Sequence, residues 1–123
     1  MPLSRRSLLR HATLTGIALP LAGTGIVRAA ANDKLRLAGI GVGGMGGADL
    51  ASLSSHRNVE VVALCDVDAG NLAAAGEKHP GAKRFRDFRK MFDEFAGSID
   101  AVHVSTPDHT HAPAAMTAMN HGK

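Results

Sequence analysis

Residues 35–53 constrain the fold of this 123-residue chain most, because an apolar run leads through a glycine loop into a helical segment. Within this stretch, Gly41, Gly43 and Gly46 fit the G-x-G-x-x-G spacing of a dinucleotide-binding turn. The first glycine permits the tight turn, the second lets the backbone approach a pyrophosphate, and the third lets the helix pack closely on the strand. The helix N-terminus then offers free amides to phosphate oxygens.

An acidic residue after the second apolar run strengthens this interpretation. The run Val59–Cys65 is followed at once by Asp66, which lies 20 residues beyond Gly46. A carboxylate at the tip of the second strand accepts hydrogen bonds from the adenosine ribose hydroxyls, and its charge repels the phosphate that distinguishes NADP from NAD. A glycine-rich loop without a ligand is the alternative. The order of strand, glycines, helix, strand and acid favours binding of NAD, with NADP as the second candidate.

Strand and helix patterns alternate along the rest of the chain. Val59–Cys65 is apolar at nearly every position, which is typical of a parallel strand covered on both faces. Asp68 and Asp87 are the predicted caps of the two middle helices, and a second ribose ligand is the alternative for Asp68. The alternation predicts an α/β fold with a doubly wound parallel sheet, right-handed crossovers and ligands at the carboxyl ends of the strands. We predict strands at Leu35–Ile40, Val59–Cys65, Lys83–Phe85 and 100–104, and helices at Gly44–Ser54, Ala69–Lys78, Phe88–Phe95 and 110–120.

The first residues have the order of an export signal. Arg5 and Arg6 form a twin-arginine pair, residues 12–27 are apolar and carry no charge, and Ala29, Ala30 and Ala31 are small. This order predicts a cleavable twin-arginine signal at residues 1–31, the twin-arginine translocation machinery as a partner and a periplasmic location. An uncleaved membrane anchor is the alternative, although the apolar run is short and interrupted by glycines and a proline.

Composition excludes other classes of function. Four of the 14 basic residues precede residue 32, so the remainder has 10 basic and 11 acidic residues and a formal net charge of −1. With no Trp, no Tyr and no basic stripe in that remainder, we predict no nucleic-acid partner. Cys65 is the only cysteine and is interpreted as a buried, inert thiol. His103, inside a predicted strand, is interpreted as a packing residue with one satisfied nitrogen.

Three segments together resemble the glucose-fructose oxidoreductase and inositol dehydrogenase family, the Gfo/Idh/MocA family. They read LAGIGVGGMG, VVALCDVD and DAVHVSTPDHTHAPAAMTAMNHGK, and the resemblance covers residues 35–123. It implies an N-terminal Rossmann domain, incomplete here at residues 32–123, and a C-terminal α+β substrate domain that this sequence lacks. It also implies a sugar or polyol substrate and, for the full-length protein, a homo-oligomer formed through the sheet of the second domain.

The resemblance also implies roles for individual residues. The family's lysine for proton transfer, in a Glu-Lys-Pro motif, would follow Lys123, so no catalytic residue is expected in this sequence. His109 and His111 have no third ligand nearby, so we predict no metal site. The implied substrate-edge residue is His111. The implied cofactor-binding residues are Gly41, Gly43, Gly44, Met45 and Gly46 in the phosphate loop, Asp66 at the ribose, and Ser105, Thr106, Pro107 and His109 in the loop toward the nicotinamide.

The resemblance implies the nucleotide-binding part of an oxidoreductase that acts on CH–OH groups of sugars or polyols by hydride transfer to a nicotinamide. Because free NAD is scarce outside the cytoplasm, an exported enzyme of this kind must hold its cofactor tightly. Two alternatives stay open: a redox-neutral, NAD-dependent glycosidase of the same fold, and a truncated nucleotide-binding module without catalysis. The 123 residues alone are predicted to be inactive.

Overall fold

A computed structural model of the protein describes residues 34–123. The predicted export signal at residues 1–31 lies outside the described residues. In the part described, no helix is long and apolar enough to span a bilayer. The elements are β1 (Leu35–Ile40), α1 (Gly44–Ser54), β2 (Val59–Cys65), α2 (Ala69–Lys78), β3 (Lys83–Phe85), α3 (Phe88–Phe95), a 3-10 helix (Ala96–Ser98), β4 (Ala101–Val104) and α4 (Asp108–Asn120).

The strands form one parallel sheet in the order β3-β2-β1-β4. The first strand in sequence therefore lies in the interior of the sheet, where it pairs with β2 on one side and β4 on the other. Its last residue, Ile40, is in register with both Cys65 and Val104, so the carboxyl ends of the three strands coincide. The predicted α/β doubly wound sheet is confirmed.

Hydrophobic residues cover both faces of the sheet. Leu37 packs on one face, whereas its neighbour Ala38 packs on the other, as the alternation of side chains along a strand requires. The first face lies against α1 and α2 through Leu50 and Leu72. The second face lies against α3 and α4. Its buried residues include the predicted helix stripe, with Phe88, Met91 and Phe92 buried and Phe95 partly buried. Burial on both faces explains the apolar sequence of β2.

Both predicted helix caps are present. Asp68 accepts a hydrogen bond from the Asn71 backbone N–H at 2.8 Å, and Asp87 accepts one from the Arg89 backbone N–H at 2.9 Å. These bonds satisfy amide donors that the first turn of a helix leaves without partners. The sequence therefore encodes the starts of α2 and α3 locally.

Two predicted boundaries were wrong by one or two residues. Helix α4 begins at Asp108 rather than at residue 110, because Pro107 takes the N-cap position and its carbonyl accepts the N–H groups of Thr110 and His111. His109 therefore belongs to the first turn of α4 and not to the preceding loop. Strand β4 begins at Ala101 rather than at residue 100.

The residue before β4, Asp100, is held at the amino ends of the strands by Arg36. The Asp100 carboxylate accepts from the Arg36 backbone N–H at 2.8 Å, from Nε at 3.0 Å and from Nη2 at 2.7 Å. In return, the Asp100 N–H donates to the Arg36 carbonyl at 2.8 Å. These hydrogen bonds, first those of the side chain and then that of the backbone, lower the pKa of Asp100 from 3.8 to about 2. The pair joins β1 to β4 at this end of the sheet.

Candidate functional site

A cleft of about 770 Å³ opens at the carboxyl ends of β1, β2 and β4. Doubly wound sheets bind ligands at this edge, where the connections diverge to opposite faces. Most of the predicted cofactor residues line it, whereas Gly44, Met45, Gly46 and His111 lie outside its walls. Gly44 lines a smaller neighbouring cleft of about 350 Å³ between α1 and α2. The lining residues predicted from sequence are Gly41, Gly43, Asp66, Ser105, Thr106, Pro107 and His109.

The first and third glycines lock the loop after β1 against the loop after β4. Gly41 has φ +79°, a conformation that side-chain-bearing residues rarely adopt, and a β-carbon on it would lie 2.5 Å from the Ser105 carbonyl oxygen. A β-carbon on Gly46 would overlap the Gly41 carbonyl oxygen and lie 2.8 Å from the Ser105 β-carbon. No side chain fits at either position without displacing backbone.

The second glycine, Gly43, serves as N-cap of α1 and makes no side-chain capping bond. The first amides of this helix therefore have no side-chain cap. The space beside the Gly43 α-carbon is filled by the side chain of Asn71 from α2. The next residues, Gly44 and Met45, are exposed in the first turn of α1. This arrangement provides a helix N-terminus whose donors are free for an anion.

Asp66 lies half-buried where β2 ends, and its carboxylate is fixed by two backbone donors. Oδ2 accepts from the Val42 N–H in the glycine loop at 2.9 Å, and Oδ1 accepts from the Asp68 N–H at 2.9 Å. A carboxylate has about four acceptor positions, so each oxygen keeps capacity for a ribose hydroxyl. Sequence reasoning found this acid but not its bond to the glycine loop.

The loop after β4 is held against β1 and leaves one hydroxyl without a partner. The Ser105 N–H donates to the Ile40 carbonyl at 2.8 Å, and the Ser105 hydroxyl lies 3.1 Å from His103 Nε2. His103 thus has one satisfied nitrogen, as predicted. Among residues 34–123, the buried Thr106 hydroxyl finds no hydrogen-bond partner. A buried polar atom of this kind in a cleft wall suits a ligand that supplies the missing partner.

The two histidines of the loop sequence occupy different positions. His109 lines the cleft from the first turn of α4. His111 is exposed, and its Nδ1 lies 3.3 Å from the Thr106 carbonyl oxygen, so it braces the loop from outside the cleft. Residues 34–123 hold no group of three or more His, Cys, Asp or Glu side chains that could bind a metal ion.

The cleft wall includes three polar residues, Asn71, Arg86 and Arg89, that the sequence did not identify as site residues. Arg86 donates from Nη2 to the Val67 carbonyl at 2.6 Å, Arg89 lies in the first turn of α3, and Asn71 contacts the glycine loop. Asp68 and Asp87, as recognised caps, place the residues that follow them beside Asp66, and that signal could have revealed Asn71 and Arg89. Arg86 had no comparable local signal.

Cys65 lines the same cleft but has the properties of a packing residue. Burial, followed by the charges of Asp87 and Asp66, raises the pKa of its thiol from 9.0 to about 12. A thiol that stays protonated at neutral pH is neither a nucleophile nor a metal ligand. The cleft therefore offers donors, acceptors and apolar surface, which suit binding of a dinucleotide rather than covalent chemistry by this chain.

The fold and site together define a dinucleotide-binding Rossmann domain: glycines with no room for a side chain, an uncapped helix N-terminus, and an acid after β2. Residues 35–123 match the Gfo/Idh/MocA family model, described as an oxidoreductase family with an NAD-binding Rossmann fold. The chain belongs to this family. The match confirms the resemblance drawn from the sequence, and it confirms NAD as the cofactor of this domain.

Individual relatives agree with this assignment. A glycosyl hydrolase family 109 protein from Saccharopolyspora erythraea is 33% identical over 99% of this chain and 32% of its own length. An inositol 2-dehydrogenase from Arthrobacter is 34% identical over 71% of this chain and 26% of its own. The WlbA dehydrogenase from Bordetella pertussis, solved with NADH and UDP-GlcNAcA, superposes with a TM-score of 0.65 at 26% identity over 73% of this chain and 27% of its own. The chain spans about a third or less of these proteins' lengths.

Proposed function

We propose that this chain is the cofactor-binding part of an enzyme that transfers a hydride between a CH–OH carbon of a sugar or polyol and a tightly held NAD. The observation that carries the proposal is the interlocked loop pair at the carboxyl edge. There Gly41 and Gly46 leave no space for side chains against Ser105. An interlock of this kind fixes backbone donors before the ligand arrives, which is the preorganisation that tight binding requires.

Each part of the edge has a role in this proposal. The free amides of α1, with Gly41, Gly43, Gly44, Met45 and Gly46 around them, bind the diphosphate. Asp66 accepts hydrogen bonds from the adenosine ribose hydroxyls. Ser105, Thr106, Pro107 and His109 shape the cleft toward the nicotinamide, with the unpartnered Thr106 hydroxyl as a donor. His111, predicted at the substrate edge, lies outside the cleft wall and holds the Thr106 carbonyl from there.

When bound, the nicotinamide supplies the acceptor for a hydride from the sugar carbon. The hydroxyl proton of that carbon passes to a base, and we assign no such base to residues 34–123. Residues 34–123 bind the cofactor and orient it. Asp66 and the glycine loop fix the adenosine half, while Thr106, Pro107 and His109 limit water beside the reacting end.

A redox-neutral glycosidase is the second candidate, and one observation favours it. The similarity to the glycosyl hydrolase family 109 protein extends over 99% of the chain, whereas the similarity to the inositol 2-dehydrogenase covers 71%. In this candidate the sugar is oxidised by hydride transfer to NAD, loses its aglycone by elimination, takes up water in its place and is reduced again by the same hydride. Both candidates need the same cofactor site, and they differ in whether the hydride returns to the same substrate.

Export also belongs to the proposal. The twin arginines Arg5 and Arg6, the apolar run after them and the small residues at positions 29–31 support transport to the periplasm by the twin-arginine route. An exported dehydrogenase or glycosidase cannot exchange its NAD with a cytoplasmic pool. We therefore expect the cofactor to be loaded before transport and retained through repeated turnovers, in which the dehydrogenase oxidises one substrate and passes the hydride to a second, carbonyl-bearing substrate.

The test uses the protein purified from the periplasm under its own leader. After denaturation, mass spectrometry should identify NAD in nearly equimolar amount, and its absence would count against a retained cofactor. The same preparation is then given sugars and aryl glycosides with no added electron acceptor. Release of the aglycone favours the glycosidase, whereas absorbance of reduced nicotinamide without release favours the dehydrogenase.

A further inference from the structure

Asn71, in the first turn of α2, contacts the glycine loop at the point where a dinucleotide backbone passes. A β-carbon on Gly43 would overlap Nδ2 and Cγ of the Asn71 carboxamide and would lie 2.8 Å from its Oδ1. The second glycine of this motif is the position at which the chain approaches the pyrophosphate. The Asn71 side chain therefore lies beside the diphosphate path from the α2 side.

Three hydrogen bonds connect the backbone of Asn71 to the glycine loop. The Asn71 N–H donates to Asp68 Oδ1 at 2.8 Å, and the Asp68 N–H donates to Asp66 Oδ1 at 2.9 Å. Asp66 Oδ2 in turn accepts from the N–H of Val42, the residue before Gly43, at 2.9 Å. These bonds join the glycine loop to the first turn of α2. The Asn71 carboxamide lies against Gly43 of the same loop.

The chemistry of this side chain fits an anionic ligand. Asn71 is exposed, and it lines both the main cleft and the smaller cleft between α1 and α2. Within residues 34–123 its carboxamide makes no hydrogen bond that would occupy its two N–H donors. A donor to a charged oxygen contributes more than one to a neutral group.

We propose that Asn71 is a further cofactor-positioning residue whose carboxamide donates a hydrogen bond to a diphosphate oxygen of the bound dinucleotide. This inference rests on the proposed NAD site and deepens it, because a donor on a second helix gives the site a means of retaining its cofactor.

The test measures the affinity of the full 123-residue chain for NAD by calorimetry. Asn71→Ala removes the donors, and Asn71→Asp keeps the size but places a carboxylate beside the diphosphate. We expect about a tenfold loss of affinity for Asn71→Ala and about a hundredfold loss for Asn71→Asp.

Two control variants accompany these substitutions. Ala73→Asp adds the same charge to an exposed position of α2, and Asn58→Ala removes a carboxamide far from the cleft. Both should bind NAD as the wild type does.

A packing role predicts a different order. If Asn71 only fills space over Gly43, the isosteric Asn71→Asp variant binds NAD like the wild type and Asn71→Ala is the weaker of the two. That order, an unchanged Asn71→Ala variant, or an Ala73→Asp variant as weak as Asn71→Asp would overturn the inference. Absence of NAD binding by the wild type would instead refute the proposed function itself.

Discussion

The two ends of the sheet differ in how completely their polar groups are paired. At the amino end, the Asp100 carboxylate receives three hydrogen bonds from Arg36, and the neighbouring Ile99 is only 1% exposed. At the carboxyl end, Gly41 adopts a left-handed conformation and the buried Thr106 hydroxyl finds no partner within residues 34–123. The amino end is closed by its own contacts, whereas the carboxyl end has capacity for a ligand.

This difference assigns stabilising contacts to the amino end of the sheet and ligand binding to the carboxyl end. A group that already has all its partners stabilises the fold but has nothing to offer a ligand, and the reverse holds for a group left free. Substitutions at the amino end should therefore change the free energy of unfolding and leave the affinity for NAD intact. Substitutions at the carboxyl end should change the affinity more than the stability.

The largest expected effect is that of Gly46→Ala at the carboxyl end. The new β-carbon overlaps the Gly41 carbonyl oxygen, so the loop must move and its amides leave their positions. We expect affinity for NAD to fall more than about a thousandfold, with a smaller loss of about 1–3 kcal/mol in stability. Calorimetric titration and chemical denaturation measure the two. The matched control is Gly97→Ala, where a β-carbon meets open space. Binding by the Gly46 variant at wild-type strength would show that the interlock is dispensable.

Next in size is Ile99→Ala at the amino end. Removing this buried side chain leaves a cavity, and we expect the free energy of unfolding to fall by about 2–4 kcal/mol. Because Ile99 lies at the opposite end of the sheet from the cleft, the folded variant should bind NAD as the wild type does. Urea denaturation and NAD titration below the transition measure the two quantities. A tenfold change in affinity would contradict the separation of the two ends.

A smaller effect is expected for Asp66→Asn. The amide side chain keeps one acceptor and loses the negative charge, so affinity for NAD should fall about tenfold while repulsion of the NADP phosphate disappears. The ratio of the two dissociation constants, measured by competition, should shift toward NADP. The matched control is Asp93→Asn, an exposed carboxylate on α3. An unchanged ratio would show that Asp66 serves only to hold the Val42 N–H.

The smallest effect is the pH dependence of the pair at the amino end. The folded-state pKa of Asp100 is about 2, below the usual 3.8, so the ionised form is favoured in the folded state. The pair therefore stabilises the protein above about pH 4 and loses that contribution as the pH falls toward 2. Because Asp100 is exposed, we expect Asp100→Asn to be about 0.5–1 kcal/mol less stable at pH 7 and to approach the wild type near pH 2. A difference independent of pH would contradict this account.

The helices and strands could be predicted from the sequence, because local patterns of residues determine them. Mostly apolar runs marked β1 and β2, and the Asp68 and Asp87 caps marked the starts of α2 and α3. The start of α4 was misjudged because a proline at the N-cap shifts the first turn without changing the hydrophobic pattern. Boundaries of this kind depend on backbone angles that the pattern of residues does not specify.

A site residue could be predicted only where a motif in its own segment of the sequence identifies it. The glycines and Asp66 have characteristic spacing, whereas Asn71 and Arg86 have meaning only through the residues they meet from other elements. The bond from Val42 to Asp66 joins residues 24 apart, and nothing in either segment specifies the other. Contacts between elements follow from how the helices and strands pack, which needs the three-dimensional arrangement.

The strand order has a consequence for the time the chain needs to fold. β1 is made first but lies between β2 and β4, and its pair with Asp100 joins residues 64 apart. Closing a loop of that length costs chain entropy before the new contacts compensate it, so we expect β2 to pair with β1, and β3 with β2, before β4 docks. The loop that follows β4 packs on Gly41 and Gly46. We therefore expect the chain to acquire its ability to bind a ligand only in the last stage of folding.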